Sequence, residues 1–172
     1  MKMQYMDLEQ SCLELISRFH SDEIGNRLAF SLTTELINTQ LKSARTSIWM
    51  FNQVKNKVEC KDLFTKKTKS HQSGGIILRR KNPLYFEALE TTKCVVANDA
   101  RTHQATKSLN ESYLQPNGVV SKLSVPIYVK GEIIGIICNE ETDHIRDWKI
   151  SDVALIKEIN MMLEDIFAST EN

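Results

Sequence analysis

These 172 residues predict an α+β layered domain. A central antiparallel sheet of about five or six strands is expected, with terminal helices on one face and short helices and loops on the other. Three observations carry this. Apolar residues recur at helical spacing at both chain ends. The middle of the chain alternates with a period of two and is broken by tight turns. Hydrophobic residues make up 41% and charged residues 26%, a globular balance that excludes wholesale disorder.

The first element runs from Met6 to His20. Leu8, Cys12, Leu15 and Phe19 lie along one stripe, so it reads as an amphipathic helix. Ser21 or Asp22 is the expected cap of a second helix, striped by Ile24, Leu28, Leu32 and Leu36. Thr46 to Asn52 is rich in β-branched and aromatic residues and reads as a strand. It is followed by a turn near Lys55 to Lys57 and a half-wet strand from Val58, together a hairpin. Lys69 to Gly75 is a loop and Gly75 to Arg80 a short extended arm. Asn82-Pro83 starts a helix that ends near Thr92, with Asn as cap and Pro in the first turn. Lys93 to Asp99 holds a short buried strand. Ala100 to Gly118 is a long connection of helical character, with Leu109, Tyr113 and Leu114 pointing one way. The clearest hairpin joins Val119–Val129 to Glu132–Glu141 through Lys130-Gly131. Pro126 inside it demands an edge position or a bulge. A last helix, capped by Ser151, runs to about Ala168.

Charge and cysteines narrow the function classes. Lys plus Arg and Asp plus Glu are 22 each, so the net charge is zero and no nucleic-acid partner is expected. The charge is uneven, with a basic stretch from Lys55 to Lys81 and an acidic one from Glu140 onward. These read as solvated faces. Cys12, Cys60, Cys94 and Cys138 have no metal-site spacing and read as small buried hydrophobes. His20, His71, His103 and His144 are scattered, so no metal is expected. No run of ~18 apolar residues exists, so no membrane contact is expected. Asp7, Glu9 and Glu14 interrupt the N-terminus, which is not read as a signal peptide, and a cytoplasmic location is expected.

From Gly75 to Trp148 the residues resemble a GAF domain, the small-molecule sensing module of signalling proteins. The likeness is to a subgroup attached to bacterial histidine kinases and diguanylate cyclases. It rests on Pro83, Tyr85, Phe86, Ala88 and Leu89 in one helix, then Asp99, Ala100 and His103 in a loop. Tyr113, Leu114, Pro116 and Gly118 follow in a turn, then Pro126 in a strand, and Gly135, Cys138 and Glu140 in the next. Asn139 and Glu141 stand where that subgroup often has His. The resemblance covers roughly Ile24 to Phe167. It implies a GAF-like, PAS-related sheet, with residues 1–21 as an N-terminal helix for dimerisation or linkage and 22–172 as the sensory domain.

The resemblance also raises chemistries that the residues do not support. Asn56-Lys57 and Phe64 start a cyclic-nucleotide pattern, but Lys66, Lys67 and Thr68 break it. Free methionine sulfoxide reductases of this type carry cysteines between the positions of Val95 and Ile137, and none lies there. No Cys-His dipeptide offers a bilin attachment, and His103 is the one loop candidate for haem. Ser73-Gly74-Gly75 lacks the ending of a phosphate loop.

The expectation is therefore a non-enzymatic GAF-type sensory or regulatory domain in bacterial signal transduction, without a cofactor. It binds a small molecule, dimerises through its terminal helices, or does both, and controls a kinase or cyclase output domain or partner. The alternatives are a methionine sulfoxide reductase-type enzyme and a ligand-free dimerisation module. In the fold so implied the pocket lies between the sheet and the Asn82 to Gly118 excursion, a connection longer than joining two strands needs. Asp99, Arg101, His103 and Tyr113 from the excursion, with Lys122 and Glu140 from the facing strands, are the candidate ligand contacts. Both charge signs suit an amphoteric ligand or a small anion held through Arg101 and Lys122. The rival reading of the same residues is that they satisfy one another and pin the loop.

Overall fold

The computed structural model describes residues 2–169, with side chains from Leu8 onward. Two helices open the chain, α1 (Lys2–His20) and α2 (Asn26–Leu41). Strands β1 (Arg45–Phe51), β2 (Lys57–Thr65), β3 (Ser70–Gln72) and β4 (Ile76–Leu78) follow, then α3 (Pro83–Thr92) and β5 (Val95–Ala97). The long hairpin is β6 (Ser121–Val129) with β7 (Glu132–Glu141). It is followed by α4 (Ile150–Met162) and α5 (Glu164–Ala168). Among the described residues no helix is long and apolar enough to cross a membrane.

The sheet is antiparallel, in the order β3-β2-β1-β7-β6-β5, with β4 also on β2. It has seven strands because two three-residue pieces share one edge. β3 pairs with Leu63 to Thr65 and β4 with Lys57 to Glu59. The central hairpin turns on Lys130 and Gly131, with φ of 50° and 83°. Two positive φ angles in succession make the turn whose twist matches the flanking strands. Pro126 is tolerated because β5 pairs only Lys122 to Ser124, leaving β6 an edge strand beyond that point. A bulge follows at once, between Ile127 and Tyr128.

Alternation along the strands sends apolar side chains to both faces. Ile48, Leu123, Val125, Ile127 and Ile137 pack under the terminal helices, where Leu8, Cys12 and Leu15 of α1 join Ile156, Ile159 and Phe167. Trp49, Cys60, Ile136 and Cys138 pack on the other face against Tyr85, Phe86 and Leu89 of α3 and Leu109 and Leu114 of the excursion. Each fully buried large side chain contributes about 1.5–3 kcal/mol. The two-layered arrangement around the sheet is the one expected from the sequence.

Helix ends differ from the expectation. Gly25, not Ser21 or Asp22, precedes α2. Asp22 has φ of 56° and belongs to the turn that ends α1, its N–H donating to Phe19 O. Asn82 does precede α3, but its amide donates to Leu78 O at 3.1 Å rather than capping the helix. Ser151 lies inside α4; Asp152 does the capping, accepting from the Lys149 N–H at 2.9 Å. The last helix is broken at Leu163 into α4 and α5.

Candidate functional site

Under the excursion the sheet carries charge where a core would carry hydrocarbon. Arg45 is the first residue of β1, and period-two alternation puts it on the same face as Ser47, Trp49 and Phe51. Lys122 and Glu140 are cross-strand partners on β6 and β7, and Glu140 also pairs with Arg45. Tyr113 reaches down from a π-helical turn, Asn110–Leu114. Lys122 is 0% exposed, Glu140 1%, Arg45 8% and Tyr113 9%, so the cluster is shut off from water.

The contacts converge on one carboxylate. Lys122 Nζ donates to Glu140 Oε1 at 2.6 Å, and Tyr113 OH donates to the same oxygen at 2.8 Å. Arg45 Nε faces Glu140 Oε2 at 3.3 Å, outside hydrogen-bonding geometry, so neither atom has a hydrogen-bond partner. The rest of the Arg45 guanidinium holds the excursion, donating to Tyr113 OH at 3.3 Å and to Asn117 Oδ1 at 3.1 Å. The Lys122 ammonium also lies 5.1 Å from the Tyr113 ring centre, within cation–π range.

Electrostatics fix the protonation states. Burial disfavours the Glu140 carboxylate, but the Lys122 and Arg45 charges and the bonds from Lys122 and Tyr113 outweigh it and lower its pKa. Burial likewise opposes the Lys122 ammonium; the Cys138 sulfur and Glu140 more than offset it and raise its pKa. Burial, then the Glu140 charge, raise the Tyr113 phenol, which stays a donor. Two cations thus share one anion, and the cluster keeps a net positive charge. Beside it Tyr85 OH donates to Ser124 Oγ at 2.9 Å, with Cys138 Sγ 3.7 Å from the phenol.

Of the six residues picked from the sequence, Tyr113, Lys122 and Glu140 meet here. Asp99, Arg101 and His103 are half-buried and bind their own loop. Asp99 Oδ1 accepts from the Arg101 N–H, Arg101 Nε donates to Val119 O at 3.0 Å, and His103 Nδ1 accepts from the Ala105 N–H. Asp99 and His103 are joined through backbone, His103 N–H to Asp99 O, and not through their side chains. Arg45 and Asn117 were missed. Asn139, at a His position of the resembled pattern, faces away from the cluster and accepts from Ser43 and Thr46 under the helices.

Other chemistry is sparse. Among the described residues one metal-sized group occurs, Glu141, Asp143 and His144. Both Glu141 oxygens accept hydrogen bonds, from Arg146 Nη1 and from the Ala44 N–H, while Asp143 and His144 are exposed. A surface groove of about 810 Å3 runs along Phe51, Val54, Lys55 and Lys57. None of the six candidates lines it.

Comparison with known proteins agrees with this architecture. The family model described as GAF domain matches residues 27–164. The GAF domain of an Acinetobacter phosphoenolpyruvate-protein phosphotransferase is 14% identical, with TM-score 0.74, 99% of this chain and 96% of that one covered. The GAF domain of a Bacillus halodurans two-component sensor histidine kinase is 20% identical, with TM-score 0.60, covering 81% and 93%. Free methionine-R-sulfoxide reductase from Neisseria meningitidis, solved with its substrate, is 15% identical, with TM-score 0.65, covering 95% and 87%. No curated protein sequence matches significantly. At such identities the structures speak for the fold, and the sequence match over most of the chain speaks for descent: the chain belongs to the GAF domain family.

Proposed function

We propose that this GAF domain is a sensory or regulatory module that binds a small molecule between the sheet and the Asn82 to Gly118 excursion. Binding shifts that excursion against the sheet, and the terminal helices on the opposite face carry the shift to a kinase or cyclase output domain or partner. The observation behind this is the buried Arg45–Glu140–Lys122–Tyr113 cluster. A core needs no such group for stability, since apolar residues of similar volume often serve as well or better. A charged cluster that stability does not require, set beneath a long covering segment, is better explained by recognition. Tyr113, Lys122 and Glu140 are then the contacts, while Asp99, Arg101 and His103 frame the loop that covers them. The histidine-kinase neighbour supports a role in bacterial signal transduction. Homodimerisation through the terminal helices belongs to the same reading.

The module is non-catalytic in this reading. The rival is a methionine sulfoxide reductase, favoured by the Neisseria neighbour. Such an enzyme needs an accessible thiolate. Burial pushes the Cys60 thiol up to about 12 and the Cys12 thiol up to about 11, away from the nucleophilic form. Native mass spectrometry of freshly purified protein tests the sensory reading. A bound mass that leaves on denaturation is expected; the bare chain throughout favours a ligand-free module. Turnover of free methionine sulfoxide in an NADPH–thioredoxin assay would establish the enzyme instead.

A further inference from the structure

Hydrogen-bond capacity in the buried cluster is out of balance. Lys122 offers three N–H donors, Arg45 five and Tyr113 one. The acceptors they find are the Glu140 carboxylate, the Tyr113 oxygen and the two Asn117 carbonyls. Arg45 Nε and Glu140 Oε2 face each other at 3.3 Å without completing a hydrogen bond, and Lys122 spends one of its three donors on Glu140. Charge is out of balance too, two cations to one carboxylate. Glu140 cannot leave to correct it, because it sits on β7 between β1 and β6. The missing component is an anionic acceptor carrying a single charge.

The covering segment supplies the acceptors provisionally. Among the described residues of the excursion, Tyr113 and Asn117 accept the hydrogen bonds of Arg45. Tyr113 lies on the π-turn and Asn117 just beyond it, and such turns occur frequently at functional sites. That segment also buries Asn110 Oδ1 without a partner. The closed arrangement is therefore incompletely satisfied, which lowers the cost of displacing the cover.

We propose that the cluster is the receptor for a small organic monoanion, a carboxylate. Its oxygens take the place of Tyr113 and Asn117 on Arg45 and complete the free donors of Lys122, while Glu140 stays as the fixed counter-charge. This deepens the small-molecule reading above and rests on it. A monoanion brings the site to neutrality, whereas a dianionic phosphate overshoots it. Trp49, whose ring lies 5.7 Å from that of Tyr113, supplies an apolar wall for the organic part. Release of Tyr113 and Asn117 frees the 110–118 segment, so ligand binding and movement of the cover are one event. Arg101, bonded to Val119 O, takes no part in anion binding.

The test uses one shape in three charge states: benzoate, benzamide and benzylamine, titrated into the full chain by calorimetry and thermal shift. Benzoate is expected to bind about tenfold or more tightly than benzamide, as bonds to charged groups are the stronger ones. It should also speed amide hydrogen exchange at 110–118. Lys122→Met leaves Arg45 and Glu140 as a one-to-one pair, so no charge is stranded, and should lose the benzoate preference. Arg45→Gln, near the rim of the cluster, leaves Lys122 and Glu140 paired, should lose it as well, and covers the case in which Lys122→Met does not fold. Benzamide or benzylamine binding as well as benzoate overturns the carboxylate assignment and leaves the small-molecule reading standing. Benzoate binding undiminished in the variants overturns the location. Silence from all three probes, with no co-purified mass, overturns both.

Discussion

Replacing Glu140 by Leu strands the Lys122 and Arg45 charges in a sealed site, whereas replacing Lys122 by Met leaves Arg45 and Glu140 paired one to one. Leaving a buried charge unpaired costs about 3 kcal/mol or more. Urea melts should therefore rank Glu140→Leu as less stable than Lys122→Met. The opposite order would mean that the two cations do not share this carboxylate as described. Lys122 and Glu140 were legible in the sequence because both sit in the strongest hairpin, where register is set by the turn. Arg45 was not, because the strand reads from Thr46 and Leu41 to Arg45 read as the end of the second helix; extending the alternation one residue back finds it. His71 offers a second residue-scale experiment. Its Nδ1 lies 2.9 Å from Asp62 Oδ2 and its Nε2 lies 3.0 Å from Glu35 Oε1, tying the β3 edge to α2. Only the imidazolium can donate to both carboxylates. Burial pulls His71 toward the neutral form, but the bonds and charges of Asp62 and Glu35 outweigh it and raise its pKa. The stability so gained is complete below the unfolded value of about 6.5 and is lost as pH rises through the raised folded value. Denaturation at about pH 5.5 and about pH 8.5 should show wild type exceeding His71→Gln by more at the lower pH. A gap that is flat, or that widens with pH, would rule out the protonated clasp.

Close approach between elements is sharpest where β1 meets β7. Gly135 pairs with Met50 on one side and Ile127 on the other. A Cβ there would stand 2.5 Å from Trp49 O and 2.7 Å from Met50 Sδ. A backbone oxygen inside a central strand has nowhere to go, so the strands must separate. Gly135→Ala should cost roughly 1–3 kcal/mol, read as a lower melting temperature; an unchanged melt would show that β1 and β7 are not packed this closely. Elements with long periodic patterns, the terminal helices and the β6–β7 hairpin, were readable in advance. The three-residue strands β4 and β5 were readable as short apolar runs, but β3, Ser70–Gln72, is polar and too short to show a period, which is why the split edge on β2 was not foreseen. Helix starts were misplaced for a different reason: small polar residues serve either end of a helix. Asp22 closes α1 in the left-handed conformation instead of opening α2. The π-turn was also invisible, since Leu109, Tyr113 and Leu114 have a spacing that an ordinary helical turn satisfies equally.

At the scale of the whole molecule the question is what the terminal helices do on their outer side. The last helix carries two apolar rows, a pattern that suggests a dimer seam, and both are engaged within the chain: Ile156, Ile159, Leu163, Ile166 and Phe167 are buried, with Val153, Leu155 and Met162 packed beside them. A third row stays outside. Ile150 is 90% exposed and Met161 71%, and exposed Ala154 and Lys157 lie between them at four-three-four spacing. Such a stripe covers one side of a helix and suits a partner helix. On α1, Leu13 is exposed by 55% among polar neighbours. The homodimer expected of this domain would use this outer stripe, not the rows that first suggested it. Sedimentation at micromolar concentration should give a species of twice 19.7 kDa. Ile150→Glu with Met161→Glu should convert it to monomer with the melting temperature nearly kept, because neither side chain enters the core. A wild-type species at 19.7 kDa would remove dimerisation from the reading. A dimer that survives both glutamates would place the contact away from α4.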